Sequence, residues 1–155
     1  MKNEKGLTRL GLIIIIVLMI VVIFALVYYF GNQKKRNFIT EAKEYISDVR
    51  SLITSDSIIA PDTYDEKVVI SISQINPDKR LTKSAFGGNL VKEKSYIIIK
   101  NAGTEYQPKY EYYIALADDK GNCVELTEES KLNRNLVTTE CKIDEYAETG
   151  AAYIE

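Results

Sequence analysis

Cys123 and Cys141 are the residues of this chain best able to make or break a covalent bond, and they are its only cysteines. Their spacing matches neither a Cys-x-x-Cys redox motif nor a zinc-ligand pair. It suits a single disulfide formed in an oxidising compartment, the alternative being two buried free thiols. The bond would close a 19-residue loop and stabilise the fold by about 3 kcal/mol in the chain-entropy treatment. The sequence holds no histidine. That removes Ser-His-Asp and Cys-His nucleophile systems, together with the commonest transition-metal ligand.

The carboxylates offer no better chemistry. Asp118-Asp119 stands in a turn-forming stretch and reads as a pair of solvated hairpin residues rather than an acid/base pair. Asp118-x-Lys120-x-Asn122 lacks the alternating oxygen ligands and later glutamate of a calcium loop. Glu128-Glu129 after Thr127 reads as a helix start. Gly87-Gly88 lacks the lysine and hydroxyl residue of a phosphate-binding loop. No catalytic residue, metal or cofactor is therefore expected, and the chain does not read as an enzyme. Twenty Lys and Arg against 22 Asp and Glu give a net charge of −2, too balanced to indicate a nucleic-acid partner. The modest basic cluster Lys79-Arg80, Lys83, Lys92 and Lys94 reads as ordinary solvated surface.

The elements that must carry these residues are plainer. Leu10–Phe30 is an uncharged run of 21 residues, 16 of them Leu, Ile, Val or Phe. As a helix it spans roughly 32 Å, the thickness of a hydrocarbon core. It ends in Val27-Tyr28-Tyr29-Phe30 rather than in small residues, so it does not read as a secretory signal removed after the apolar run. Lys2, Lys5 and Arg9 before it nearly cancel Lys34, Lys35 and Arg36 after it in the positive-inside rule. The cysteines decide the orientation: amino end inside, the remainder outside.

Residues 37–53 are amphipathic. Phe38, Ala42, Tyr45, Ile46, Val49, Leu52 and Ile53 recur at helical spacing, with Glu41, Lys43, Glu44, Asp48 and Arg50 opposite. Gly31-Asn32 is a candidate bend between the two helical stretches. A helix over residues 8–54 would be about 70 Å long. Turn-rich residues 55–66 precede strand-like runs. Val68, Ile70 and Ile72 alternate with Val69, Ser71 and Ser73 as a half-buried strand, and Tyr96–Ile99 reads as a central one. Residues 109–126 read as a hairpin turning at Asp118–Gly121. The eight tyrosines after residue 60 are mostly expected in strand packing, a few remaining exposed for a glycan or partner surface. The fold class is α+β, a long N-terminal helix on a small antiparallel sheet.

Met1-Lys2-Asn3-Glu4-Lys5-Gly6, then Leu7-Thr8 and an apolar helix, resembles the class III signal of type IV pilins and pseudopilins. The resemblance implies cleavage between Gly6 and Leu7 by a prepilin peptidase, N-methylation of Leu7, and retention of the helix as membrane anchor and fibre core. It implies four parts: leader 1–6, transmembrane helix 7–31, amphipathic spine 32–56 and extracytoplasmic head 57–155. Its partners would be the membrane, the peptidase and other pilin or pseudopilin subunits. Phe86-Gly87-Gly88 is similar to the aromatic-Gly-Gly turn of many Gram-positive-type pilin-like heads, where glycine supplies positive φ beside an aromatic plug. A late cysteine pair also suits such heads. One departure is informative. The family's glutamate at the fifth mature position is Gly11 here, as in some minor pseudopilins placed at fibre tips. The expectation is a minor or tip-type fibre subunit, the alternative an uncut, single-pass anchored external binding domain.

Overall fold

The structure, a computed structural model, describes residues 9–55, 60–75 and 83–143. Two compact units result, Met1–Lys34 and Lys35–Glu155. Helix α1, Arg9–Thr54, is helical through both Gly31 and Asn32. The helix is not interrupted there, because a single glycine weakens a helix without breaking its hydrogen bonds. Near the end of α1 the Ser51 and Thr54 hydroxyls turn back onto the carbonyls of Ser47 and Arg50, and the Ser55 hydroxyl reaches that of Leu52. Such side-chain bonding to the preceding turn competes with continued helix.

The second unit is built on an antiparallel sheet in the order β1-β2-β3-β4. Its strands are β1 Lys67–Ser71, β2 Tyr96–Asn101, β3 Tyr110–Ala117 and β4 Cys123–Glu128. β2 is central, pairing Val69 with Ile98 on one side and Ile98 with Tyr113 on the other. β3 and β4 form the expected hairpin, with an irregularity that shifts the register between Ile114 and Leu116. The side chains of α1 meant to pack do so. Phe38, Ala42, Tyr45, Ile46 and Val49 are buried with Ile70, Ile97, Ile99, Ile114, Leu116 and Val124. Leu52 and Ile53 lie at the margin of that core.

Two sequence expectations need correction. β1 stops at Ser71, and Ile72–Ile75 forms a short helix, α2. The Gln74 side-chain carbonyl accepts the Ser71 N–H at 3.1 Å, and the Ser71 and Ser73 hydroxyls meet at 2.9 Å. Ile72 still donates its N–H to the Ser95 carbonyl at 3.1 Å; past that rung the local bonds favour the turn into α2 over continued strand. Nor is β1 half-buried. Val69 is enclosed with Tyr96, Ile98 and Ala115 in a second cluster on the other face of the sheet, flanked by Tyr113 and Ile143. The strands therefore carry apolar residues on both faces, as covered strands do.

Candidate functional site

Two features set this chain apart, an apolar half-helix and a head whose loops are bound to one another. In the first unit every residue from Leu12 to Phe30 is exposed. This helix is long and apolar enough to cross a membrane, and none of its most apolar window is buried within the protein. A core helix would be covered by its own fold, so the segment has the character of a membrane anchor. Gly11 lies within α1. Gly6 and Leu7, the expected cleavage and methylation positions, lie outside the described residues.

The cysteines behave as the spacing suggests. Cys123 and Cys141 are joined, with Cα atoms 6.1 Å apart, which rules out the pair of free thiols and fits an oxidising, extracytoplasmic compartment. The bond also manages a sheet edge. Cys123 exchanges backbone hydrogen bonds with Thr138 at 2.8 and 3.0 Å, and the Lys142 N–H donates to the Glu125 carboxylate at 2.9 Å. Residues 138–142 are thereby laid along β4, whose outer N–H and C=O groups would otherwise invite pairing with another molecule.

The aromatic-Gly-Gly stretch forms the turn its composition asks for. Gly87 has φ +79, a conformation that only glycine adopts freely. Phe86 is half-buried and meets Phe38 of α1 edge to face, with ring centroids 5.6 Å apart. Gly88 sits so close to Asp119 that a Cβ there would collide with the carboxylate. The turn is tied to the β3–β4 turn by side chains from both. Ser84 Oγ donates to Asp118 Oδ2 at 2.7 Å. The Asn89 N–H and amide group donate to Asp119 at 3.0 and 3.1 Å. Lys120 Nζ reaches the Phe86 carbonyl at 3.3 Å.

Asp118 is the centre of this knot, and the expectation of a solvated residue is wrong for it. It is 3 % exposed. Besides Ser84, it accepts the N–H groups of Lys120 and Asn122 at 3.0 and 2.8 Å, and the Asn122 amide. A buried carboxylate needs such a set of donors to offset lost hydration. Every lone pair facing the protein is engaged, so Asp118 is placed for structure. Among the described residues no group of three or more Cys, Asp or Glu is gathered to hold a metal. Thr127-Glu128-Glu129 leads into a single 3₁₀ turn, Glu129–Lys131, without a side-chain cap.

Two charged residues assigned to the solvent face of α1 also touch its packed margins, Glu41 half-buried and Arg50 still exposed. Arg50 stacks over the Tyr112 ring, 4.7 Å from its centroid, and pairs with Glu129 at 2.5 Å. Glu41 accepts the Ala85 N–H at 3.2 Å. Burial pushes the Glu41 carboxyl above its ordinary range, against the Ala85 hydrogen bond that lowers it, and the nearby Glu44 and Asp118 charges add to the rise. The folded state therefore holds the Glu41 proton more tightly than the unfolded chain. Its contribution to stability is full below the ordinary carboxyl value of 4.5 and is lost as pH rises through the elevated folded value. Glu41→Gln keeps an acceptor for Ala85 without the charge. In thermal melts the variant should match the wild type near the acid end of the range and exceed it increasingly above about pH 4.5. Parallel pH profiles would show that Glu41 is effectively solvated.

Compared with protein-family models, curated proteins and solved structures, the chain matches none. Its function has to be read from its own residues.

Proposed function

We propose that this chain is a minor or tip-type structural subunit of a type IV pilus, pseudopilus or competence-like fibre. In this reading a prepilin peptidase cuts between Gly6 and Leu7, Leu7 is methylated, and the apolar half of α1 passes from the bilayer into the fibre core. The observation that carries the proposal is that one helical element is uncovered and apolar from Leu12 to Phe30, yet buries Phe38, Ala42, Ile46 and Val49 as the spine of a sheet. An ordinary membrane anchor has no need to be the spine of the domain it carries. The stapled head supports an extracytoplasmic location. Assembly, rather than catalysis, is the proposed activity.

Gly11 favours a second reading. Burying the new ammonium of a neighbouring subunit without a carboxylate partner costs several kcal/mol, so a chain with glycine at this position is poorly suited to the middle of a fibre. It is compatible with a tip subunit, and also with an anchored binding domain that is never cut.

Intact mass and amino-terminal sequencing of the protein from its native membrane separate the two. The fibre reading expects a chain that begins at Leu7 and carries one added methyl. Gly6→Val should retain Met1–Gly6 and block assembly while the head still folds. A wild-type chain that keeps its leader, or a Gly6→Val chain that loses it normally, would rule out processing by a prepilin peptidase.

A further inference from the structure

Ion pairing divides the head by position. Among the described residues the cations paired with carboxylates are Arg50 with Glu129, Lys100 with Asp65 and Lys131 with Glu128. Arg50 lies over Tyr112 near the start of β3, Lys100 stands near the end of β2, and Lys131 follows the end of β4. The antiparallel registers bring those three strand ends together, opposite the β3–β4 turn. At the same end the fully buried Asn101 ties loop 61–66 to loop 102–109. Its amide donates to the carbonyls of Pro61 and Asp62, and its side-chain oxygen accepts the N–H groups of Gly103 and Lys109.

The end that carries the β3–β4 turn differs. Phe38 meets Phe86, and Glu41 accepts the Ala85 N–H, so the first packed residues of α1 lie at the 83–90 stretch. Ser84 and Asn89 bond to Asp118 and Asp119, which brings the β3–β4 turn to the same place. Four cations gather here. Lys83 is bridged to Asn89 across the 83–90 stretch. Lys120 Nζ reaches the Phe86 carbonyl and lies 3.6 Å from where a Gly87 Cβ would stand. Lys35 precedes Phe38 by three residues, on the same side of α1, and Arg36 follows it.

Lys35 is half-buried and the other three are exposed. Among the described residues none of the four is paired with a carboxylate. The acids nearby are engaged by other donors: Glu41 by Ala85, Asp118 by Ser84 and its own turn, and Asp119 by Asn89. Val91 bonds to Ala117 at the end of β3, and the turn it opens, Lys92–Lys94, sets two lysines against one glutamate. The entry end of the head is therefore an exposed positive surface, while the cations of the opposite end are neutralised in pairs.

The chain itself delivers a partner to this surface. Lys35 comes five residues after Phe30, the last residue of the apolar run, a stretch of at most about 18 Å even when fully extended. Tyr28 and Tyr29 are exposed and are of the type that settles at headgroup level. With the apolar run in a bilayer, Lys35 cannot leave the neighbourhood of the headgroups, and the other three cations lie on the same end of the head. An anionic membrane surface favours each Lys or Arg held near it by about fivefold. We propose that the entry end of the head docks on anionic phospholipid, with Lys35, Arg36, Lys83 and Lys120 contacting headgroup phosphates. Nucleic acid offers the same phosphate chemistry. The lipid, however, is held at this surface by the chain itself, and a net charge of −2 gives no long-range pull on a second polyanion. Of the functional reading above, the proposal requires only that α1 anchor the chain in a bilayer.

The test uses the full chain in nanodiscs of phosphatidylcholine, with and without phosphatidylglycerol, each doped with a lipid that carries a gadolinium chelate on its headgroup. Amide relaxation is read by NMR. Gly87, Gly88 and Gly121 should relax faster in the anionic discs, and Ala102 and Gly103 should not. Lys83→Gln and Lys120→Gln should each lower the ratio of docked to free head by about fivefold, and Lys109→Gln, at the opposite end, should leave it unchanged. All three lysines are exposed, so the substitutions leave the fold intact. Equal relaxation in the two lipids, or in wild type and both entry-end variants, overturns the proposal. Binding of a duplex DNA oligonucleotide that these variants lose, without faster relaxation in anionic discs, would assign the surface to nucleic acid instead. A chain that inserts into neither disc would refute the anchor on which the proposal rests. An intact leader in the same sample would sink the fibre reading and leave the lipid result standing.

Discussion

Asp118→Ala is expected to destabilise the head by about 3 kcal/mol. The substitution removes the acceptor of the Ser84 hydroxyl, whose residue is 5 % exposed, and of the Lys120 and Asn122 N–H groups. Donors to a charged acceptor are each worth roughly 1.5–3 kcal/mol, and a buried donor left without a partner forfeits its hydration as well. Water entering the partly open turn offsets some of that cost for the two backbone groups, which is why the sum is not simply tripled. Asp118→Asn, which retains one acceptor oxygen, should cost about half as much. Asp119→Ala is the internal control. Its bonds to Asn89 are exposed, so water replaces them and the loss should stay below about 1 kcal/mol. Urea unfolding of the full chain in detergent, followed by near-ultraviolet tyrosine dichroism, measures all three. Because Asp118 is the buried one of several links between the 83–90 stretch and the β3–β4 turn, its loss should also speed amide exchange at Phe86 and Asn89. Equal effects from Asp118→Ala and Asp119→Ala would mean that the two carboxylates are equally solvated and that no buried hub exists.

That contrast also shows what a sequence pattern reaches and where it stops. Periodicity reports which face of an element is apolar and identified the buried stripe of α1, while the continuous apolar run Tyr96–Ile99 marked the central strand, which the structure extends to Asn101. The turn at Asp118 was legible too, since aspartate, lysine, glycine and asparagine in succession have few other uses. What periodicity cannot show is which distant segment folds onto a turn. Ser84 is 34 residues from Asp118, and nothing local to either predicts their meeting. Ile72 failed for a related reason. The alternation of Val68, Ile70 and Ile72 continues past the point where the Ser71 and Gln74 side chains satisfy the backbone locally, and local hydrogen bonding prevailed over pattern. Glu41 and Arg50 sit at the edges of the apolar stripe, where helical spacing alone does not distinguish a solvated charge from one that closes the margin of a core. Asn101 carries no local signal at all; its importance lies in the two loops that converge on it.

Phe38→Ala should have the larger effect, about 3–5 kcal/mol. Phe38 is fully buried, and its removal leaves a cavity between α1 and the residues around it in addition to the lost transfer energy. Part of the loss belongs to Phe86, whose ring it meets edge to face. A double-mutant cycle with Phe86→Ala should therefore give a coupling of roughly 0.5–1.5 kcal/mol, the range for aromatic pairs in contact. Phe86→Ala alone should cost less than Phe38→Ala because that ring is only half-buried. The cycle separates two accounts of why the aromatic-Gly-Gly turn is built as it is. If the ring anchors the turn to the helix, coupling is present, and the 83–90 stretch loosens in either single variant. If the bonds from Ser84, Asn89 and Lys120 hold the turn by themselves, coupling vanishes, and Phe86→Ala leaves amide exchange at Gly87 and Gly88 unchanged. The first account makes the turn a clasp between spine and sheet, so that the packed part of α1 remains fixed to the sheet. The second leaves that fixation to the apolar stripe alone, and Ile46→Ala would then loosen the head as much as Phe38→Ala does.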